Sequence, residues 1–222
     1  ARLAEALDFG RLDLLPGPGA PLRDVLVTGA TGVVGSRLVA DLLRRGDARI
    51  VCLVRAEDDA AATARLHRAV RARDPGLTVA AIAARCQVLA ADMALPLFGL
   101  SPDVHDALAR EVGDVFHLAA TINHIMPYSV LRGPNVLGAL EILKFACECR
   151  VKRVHFASSI AVYAQGDLPT DRVMPEARPP RHPGGIDTPY AQTKWVAEAL
   201  ATHAAAHGLP VAIHRIGIVV EE

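Results

Sequence analysis

Three glycines stand between an apolar segment and an amphipathic one near the start of the chain. Residues 25–39 read VLVTGATGVVGSRLV, which places Gly29, Gly32 and Gly35 in the pattern TGxxGxxG. The first glycine permits a tight turn, the second lets a ligand approach the backbone, and the third lets a helix pack close to the strand before it. A chain with this pattern is expected to fold as strand, tight turn and helix within a parallel α/β unit.

Apolar, β-branched segments continue to alternate with helical segments, which predicts a parallel sheet covered by helices on both faces. Strands are predicted at 24–28, 49–54, 86–90, 114–118, 153–157 and 210–215. Helices are predicted at 33–45, 57–73, about 102–112, about 130–149 and onward from Tyr190. We therefore expect an α/β fold, a Rossmann-type doubly wound parallel sheet of about six to seven strands, with a ligand crevice at the carboxyl ends of its strands.

Two segments rich in proline and glycine depart from this alternation. Residues 10–23 resemble a linker, so we expect a linker with a short helix over 1–23 and one dinucleotide-binding domain over 24–222. Residues 164–189 predict a long loop above the fifth and sixth strands, where a substrate would enter.

Composition excludes several other classes of protein. With 24 basic and 24 acidic residues the formal charge is zero, so neither a nucleic-acid surface nor an anionic membrane surface is indicated. The apolar runs are too short to span a membrane, and the N-terminus lacks the pattern of a signal peptide. The four cysteines (52, 86, 147 and 149, the last two predicted on a helix) and the scattered histidines show no metal-ligand spacing, so we expect no metal, free buried thiols and a cytoplasmic location.

The glycine pattern becomes specific because a strand precedes it and a helix follows it. The first amide groups of that helix and its dipole favour phosphate, so the unit predicts dinucleotide binding. Enzymes that use NAD usually place an acid at the end of the second strand, where this chain has Arg55. Arg55, with Arg65 on the next helix, suits a 2′-phosphate and predicts NADPH, although Glu57 is an alternative ligand for a ribose hydroxyl.

Further cofactor contacts are expected after the third and fourth strands. Asp92 is placed to accept a hydrogen bond from the adenine amino group, with a helix cap as the alternative role. Small residues after the fourth strand would let the cofactor lie flat across the sheet edge. The complete predicted cofactor-binding set is Gly29, Thr31, Gly32, Val33, Val34, Gly35, Arg55, Arg65, Asp92, Met93, Ala119, Ala120, Thr121, Tyr190, Lys194 and Gly217.

A tyrosine and a lysine four residues apart open the helix that follows the fifth strand. Alone, Tyr190 and Lys194 could be an ordinary amphipathic edge. The winding order brings them to the crevice, where Ser159 ends the fifth strand, with Ser158 as the less favoured alternative. A lysine ammonium lowers the pKa of a nearby phenol and can bind a ribose, so Tyr190 is predicted to donate a proton to an oxygen that gains charge during hydride transfer. Ser159 would hold that oxygen.

These residues together resemble the extended short-chain dehydrogenase/reductase superfamily, whose marks are TGxxGxxG, a serine after the fifth strand and YxxxK. Three phrases, CLVRAEDDAAATARL, INHIMPYSVLRGPNVLGALEIL and YAQTKWVAE, are similar to thioester reductase domains over nearly the whole chain. Such domains end many nonribosomal peptide and polyketide synthetases and occur in carboxylic acid reductases. The NHxxPY…NVLG phrase is the most specific, because sugar epimerases lack it.

The resemblance implies reductive release of an acyl chain held as a thioester on a carrier protein's phosphopantetheine. Hydride from NADPH would give an aldehyde and a free thiol, and some members reduce further to the alcohol. The resemblance implies Tyr190 as proton donor, Lys194 as its partner and Ser159 as the ligand of the oxyanion. It also implies that Asn123 and His124 lie near the pocket.

The sequence departs from the family pattern in three places. Ala91 stands where the family has glycine, Ile216 stands within a phrase that is commonly RPG, and the chain ends at residue 222, where members continue into a substrate-binding portion. We therefore expect that portion to be missing here. Two alternatives stay open: an extended reductase or epimerase acting on a free nucleotide sugar, and a dinucleotide-sensing module without catalysis. Arg55 and the NHxxPY phrase argue against the first, and the joint presence of serine, tyrosine and lysine argues against the second.

Overall fold

The computed structural model describes residues 2–10, 24–163, 173, 175–176 and 185–219. Most of the predicted linker at 10–23 and most of the predicted loop at 164–189 therefore lie outside the described residues. A single 3₁₀ turn, Ala4–Ala6, occupies the described N-terminal segment.

Six strands and seven α-helices alternate along the described chain. The strands are β1 Asp24–Thr28, β2 Ile50–Val54, β3 Cys86–Ala90, β4 Val112–His117, β5 Arg153–Ser159 and β6 Val211–Ile216. The α-helices are α1 Val33–Arg45, α2 Asp59–Arg73, α3 Val79–Ala83, α4 Pro102–Glu111, α5 Tyr128–Arg132, α6 Gly138–Cys147 and α7 Pro189–Ala206.

The six strands form one parallel sheet in the order β3-β2-β1-β4-β5-β6. The chain winds outward in one direction from β1 to β3, then crosses to β4 and winds in the other direction. The strand order thus reverses between β1 and β4, the position at which a doubly wound sheet opens a crevice. The predicted Rossmann-type fold is confirmed.

Local sequence explains where the helices begin. Asp58, Ser101 and Thr188 each cap a helix by accepting a hydrogen bond from a backbone amide in its first turn. Proline occupies the first position of α4 and α7, where its missing N–H costs no hydrogen bond. The cap at Thr188 fixes the start of α7, so Tyr190 lies in the first turn of that helix.

Two apolar clusters cover the two faces of the sheet. One joins β1, β2 and β3 to α1 and α2, and the other joins β1, β4 and β5 to α4, α6 and α7. β2 is buried along its entire length, because helices cover both of its faces. Each fully buried aliphatic side chain contributes about 1.5–3 kcal/mol, so the two clusters hold the strand ends in fixed relative positions.

The structure corrects two predictions about helices. The single helix predicted at about 130–149 is divided by a π-helical segment, Gly133–Leu137, because Pro134 has no N–H to continue the α-helical pattern. Cys149 is also not helical: α6 ends at Cys147, and Cys149 has a left-handed backbone with φ of 53°. The short α3 was missed because five residues are too few to show a helical period.

Candidate active site

A cavity of about 500 Å³ opens at the carboxyl edge of the sheet, where the strand order reverses. It is lined by every residue of the predicted cofactor-binding set and by Ser159. Sequence reasoning named Ser158, Ala91 and Ile216 without assigning them to the cofactor set, and it missed the apolar residues Leu53, Leu118, Ala157, Ile122, Pro134 and Val219. Single apolar residues carry no motif, so only the fold identifies these as lining residues.

The glycine turn has no room for side chains at two of its three positions. A Cβ atom on Gly35 would lie 2.1 Å from the Gly29 carbonyl oxygen, and one on Gly29 would lie 2.7 Å from Ala119 N. Gly29 also has a φ of 71°, which glycine adopts without strain. Gly32 differs, because a Cβ there would meet the Gly29 oxygen at 3.4 Å, an ordinary contact. The glycine at position 32 therefore leaves open space over the turn instead of relieving a clash.

The first turn of α1 offers its amide groups to the cavity. The helix begins after Gly32, which has no side chain with which to cap them. Val33, Val34 and Gly35 line the cavity at this helix end. Free N–H groups and the positive end of the helix dipole bind phosphate, so the turn fits a pyrophosphate.

Two arginines lie together at the end of β2. Arg55 and Arg65 are both exposed and both line the cavity, and the Arg65 guanidinium donates a hydrogen bond to the Arg55 carbonyl. The alternative ligand Glu57 lies outside the cavity lining. The two cations thus give the cavity a positively charged edge at the end of β2.

Asp92 lines the cavity and orders a turn after β3, and the predicted helix cap is not observed. Its side chain lines the cavity, and its Oδ1 accepts a hydrogen bond from Ala94 N at 2.8 Å. It therefore begins a tight turn while facing the ligand space. Met93 lines the cavity beside it.

A buried histidine, His117, is hydrogen-bonded to the threonine that orders Ala119, one of the residues that line the cavity. Thr28 Oγ1 lies 2.8 Å from His117 Nδ1 and accepts a hydrogen bond from Ala119 N at 3.2 Å. Burial, with a smaller effect of the Lys194 charge, lowers the pKa of His117 to about 3. The ring is therefore neutral at physiological pH, and the threonine hydroxyl is hydrogen-bonded to it while ordering the backbone of Ala119.

The π-helical segment turns Asn135 into the protein. Asn135 is 2% exposed, and its amide bonds to both backbone groups of Thr121 and to Thr193 Oγ1 at 2.9 Å. The Thr193 hydroxyl in turn donates to the Tyr190 carbonyl at 2.7 Å. One amide side chain therefore links the cavity floor at the end of β4 to the first turns of α7.

Ser159 and Tyr190 line the same part of the cavity, and the Ser159 hydroxyl is close enough to influence the Tyr190 phenol. The Ser159 oxygen also accepts from Ala161 N at 3.1 Å, which orients the hydroxyl. Burial raises the pKa of Tyr190, and the nearby Ser159 hydroxyl opposes that rise. This differs from the lowering by Lys194 that the spacing predicts, because desolvation of the phenol is the larger effect. The phenol is protonated at neutral pH, as a proton donor must be.

Lys194 is almost completely buried beside this pair. Its Nζ donates to the Ala157 carbonyl at 2.5 Å and lies 4.9 Å from the centre of the Phe156 ring. Burial lowers the pKa of Lys194 to about 8, and the charge of Glu198 opposes the shift. The ammonium is therefore largely charged at pH 7.

Ser158, the alternative to Ser159, is engaged elsewhere. Ser158 also lines the cavity, but its hydroxyl donates to the buried Glu198 carboxylate on α7. Two residues implied by the resemblance lie outside the cavity lining. Asn123 accepts hydrogen bonds from the amides of Ile125 and Met126, and the His124 ring packs edge-on against Tyr190 with 5.6 Å between ring centroids.

The amino-acid sequence of this domain matches that of a known protein family. A model for an NAD-binding family, described as male sterility protein, matches residues 27–222. The chain belongs to the male sterility protein family. Its glycine turn, lined cavity and strand order are those of a domain that binds NAD or NADP.

Relatives of this male sterility family domain include parts of much larger enzymes. A linear gramicidin synthase of Brevibacillus parabrevis is 37% identical over 214 residues, which are 96% of this chain and 4% of that protein. A carboxylic acid reductase of Mycobacterium marinum is 33% identical over 236 residues, covering 100% of this chain and 20% of that enzyme. The chain therefore corresponds to a small part of each relative.

A solved structure shows the same arrangement over nearly the whole chain. The terminal R domain from the myxalamid PKS-NRPS biosynthetic pathway superposes with a TM-score of 0.85 at 36% identity, covering 97% of this chain and 55% of that one. The resemblance to reductase domains inferred from the motifs is confirmed. This male sterility family domain spans about half the length of that structure.

Membrane-spanning helices and metal clusters are both absent from the part of the chain that the structure describes. None of the described helices is both long and apolar enough to cross a membrane. Across the described ranges, histidine, cysteine and acidic side chains form no group of three that would suit a metal ion.

Proposed function

We propose that this domain catalyses the NADPH-dependent reductive release of an acyl or peptidyl chain held as a thioester on a carrier protein's phosphopantetheine. The observation that carries the proposal is that Ser159, Tyr190 and buried Lys194 line the same cavity as the glycine turn. The names of the relatives, a gramicidin synthase and a carboxylic acid reductase, support the same chemistry.

The shape of the glycine turn and the start of α1 fit a dinucleotide cofactor. Side chains at Gly29 and Gly35 would collide with the backbone, and the free first turn of α1 suits a pyrophosphate. When bound, the cofactor supplies the hydride. We assign the glycine turn to the pyrophosphate, Asp92 to the adenine side and Ala119–Thr121 with Gly217 to the nicotinamide side of the cavity.

The side chains have separate roles in the proposed reaction. Ser159 donates a hydrogen bond to the thioester carbonyl oxygen and positions it beside Tyr190. As the carbonyl carbon gains the hydride, the Tyr190 phenol transfers its proton to that oxygen. The resulting hemithioacetal breaks its carbon–sulfur bond, giving the aldehyde and the free phosphopantetheine thiol. Lys194 stabilises the phenolate left on Tyr190 and binds the ribose hydroxyls.

NADPH is proposed over NADH because of Arg55 and Arg65. A guanidinium offers paired, charge-assisted hydrogen bonds to a 2′-phosphate, and among the described residues no acid lines the cavity at the end of β2. The carrier protein is proposed as the partner that delivers the substrate. A cytoplasmic location is consistent with the free cysteines, of which Cys52, Cys86 and Cys147 are buried.

The experiment uses the intact parent protein with an acyl-pantetheine thioester and, in parallel, a nucleotide sugar. We expect oxidation of NADPH and formation of aldehyde and thiol only with the thioester. Oxidation with the nucleotide sugar alone would support the epimerase or sugar reductase alternative. Binding of NADPH without oxidation by either substrate would identify a sensing module and overturn the proposal.

A further inference from the structure

The segment between β2 and α2 carries three acidic residues beside the two arginines of the cavity edge. They are Glu57, Asp58 and Asp59, all exposed, and none of them lines the cavity. A carboxylate at the cavity edge would repel a 2′-phosphate and would suit the free ribose hydroxyls of NAD instead. The contacts of the two aspartates show what keeps them away from the ligand space.

Both aspartates accept hydrogen bonds from backbone amides. Asp58 caps α2, and its Oδ1 accepts from Ala61 N at 2.7 Å. Asp59 is the first residue of α2, and its Oδ1 accepts from Ala90 N at 2.6 Å. Ala90 is the last residue of β3. The Asp59 side chain therefore joins the beginning of α2 to the end of a strand that lies far from it in the sequence.

The amide of Ala90 has no partner in the sheet. Among the described strands, β3 lies at one end of the sheet and pairs with β2 alone. The next amide, Ala91 N, donates to the Val54 carbonyl on β2 at 3.0 Å. Because successive amides of a strand point to opposite sides, Ala90 N points away from β2. Asp59 thus occupies a donor that an edge strand otherwise leaves exposed.

The bond from Asp59 connects two walls of the cavity. Directly after β3, Ala91–Met93 form one wall. The other wall is the cationic edge, where Arg65 on α2 lines the cavity and donates to the carbonyl of Arg55. Asp59 lies outside the cavity, but it fixes the helix that carries Arg65 against the strand that leads into Ala91–Met93.

We propose that Asp59 is a positioning residue for cofactor selection, whose bond to Ala90 holds α2 at the end of β3 and so keeps Arg65 at the cavity edge. The inference rests on the proposed preference for NADPH. A guanidinium binds phosphate through directed, paired hydrogen bonds, so a displaced helix weakens NADPH binding. NADH has no 2′-phosphate, and its binding should change little.

The charge of Asp59 and its hydrogen bond predict opposite effects of substitution. If the carboxylate acted through its charge, removing it would strengthen the binding of an anionic 2′-phosphate. If it acts through the bond to Ala90, removing it weakens that binding. Asp59→Asn removes the charge and keeps an oxygen that can accept from the amide, whereas Asp59→Ala removes both. The two variants therefore separate the two effects.

The test measures the dissociation constants of NADPH and NADH by calorimetric titration, using the intact parent protein. Asp58→Ala is the matched control, because it loses one charge and one amide bond at the same helix end while the bond to Ala90 remains. We expect Asp59→Ala to lower the ratio of NADPH to NADH affinity by about three- to tenfold, a part of what losing a charge-assisted hydrogen bond costs. Asp59→Asn and Asp58→Ala should keep the wild-type ratio or exceed it.

A double variant tests whether Asp59 acts through Arg65. In an Arg65→Ala background, Asp59→Ala should change the affinity ratio much less than it does in the wild type, because α2 no longer carries the guanidinium. Undiminished effects in that background would overturn the proposal. A wild-type or higher ratio in Asp59→Ala would also overturn it, as would equal losses for NADPH and NADH or an equal fall in either Asp59→Asn or Asp58→Ala.

The same measurements separate this inference from the proposed reaction. A wild-type protein that binds NADH as tightly as NADPH would overturn both the role of Asp59 and the assignment of the cofactor. Failure to reduce any thioester would refute the proposed reaction alone, since the affinity ratio is measured without turnover.

Discussion

Asn135 holds Thr121 by both of its backbone groups: Oδ1 accepts from the Thr121 amide at 2.7 Å, and Nδ2 donates to the Thr121 carbonyl at 3.1 Å. The two residues come from different sides of α5 in the chain. Their pairing matters because Nδ2 also donates to Thr193, which bonds to the Tyr190 carbonyl. The cavity lining at Thr121 and the backbone of the proposed proton donor are therefore joined through the side chains of Asn135 and Thr193.

The first prediction concerns that side chain. Asn135→Ala leaves the backbone groups of Thr121 without their partner and should cost about 1–3 kcal/mol in the free energy of unfolding, measured by urea denaturation. Asn123→Ala is the matched control, since Asn123 caps an exposed turn, and should cost less than about 1 kcal/mol. Equal costs for the two variants would contradict a special role for Asn135.

Removal of the phenol hydroxyl tests the proposed proton donor. Tyr190→Phe should abolish thioester reduction but leave the NADPH dissociation constant within a few-fold of wild type, because the ring keeps its packing against His124. Tyr128→Phe, outside the cavity lining, should behave as wild type in both measurements. Unchanged turnover in Tyr190→Phe would remove the proton-donor assignment.

Arg55 is predicted to select the phosphorylated cofactor. Arg55→Ala should weaken NADPH binding by about 1–3 kcal/mol through loss of a charge-assisted hydrogen bond and leave NADH binding nearly unchanged. Arg68→Ala, on the same helix as Arg65 but outside the cavity lining, is the control. An equal loss for NADH, measured by calorimetric titration, would mean that Arg55 does not contact the 2′-phosphate.

Substitution by alanine should have different effects at Gly35 and at Gly32. Gly35→Ala places a Cβ atom 2.1 Å from the Gly29 oxygen and should destabilise the fold by about 1–3 kcal/mol or more, because backbone has to move. Gly32→Ala meets only an ordinary contact, so it should unfold near the wild-type temperature while binding the dinucleotide more weakly. Thermal unfolding and NADPH titration measure the two effects. A Gly32→Ala variant that binds normally would show that the ligand does not approach position 32.

Lowering the pH should reduce the stability of the folded protein through protonation of His117. Burial lowers the pKa of His117 from 6.5 to about 3. Between these two pH values the unfolded chain binds a proton at this residue and the folded chain does not. The stability contributed by the neutral ring is complete above pH 6.5 and is lost as the pH falls from there toward 3. His117→Asn should reduce the slope of stability against pH in this window, and the exposed His207→Asn should not. His155, whose pKa burial also lowers, is present in both variants, so identical slopes would contradict the prediction.

Much of this site could be predicted because its signals are local in the sequence. The glycine spacing, Arg55 at the end of β2 and the four-residue interval from Tyr190 to Lys194 depend on one turn, one strand end and one helix. The alternation of strands and helices then predicted that these pieces meet at one edge of the sheet, and the residues do line one cavity there.

The parallel α/β architecture and most of the groups that line the cavity follow from local patterns, because hydrophobic periodicity and turn chemistry act over a few residues. Packing between distant segments was needed to join Ser158 to Glu198, to form the π-helical segment around Asn135, and to bury the Glu198 carboxylate. The direction of the Tyr190 pKa shift also depended on that packing. These outcomes arise from desolvation and from contacts between residues far apart in the chain. A short sequence pattern does not indicate either effect.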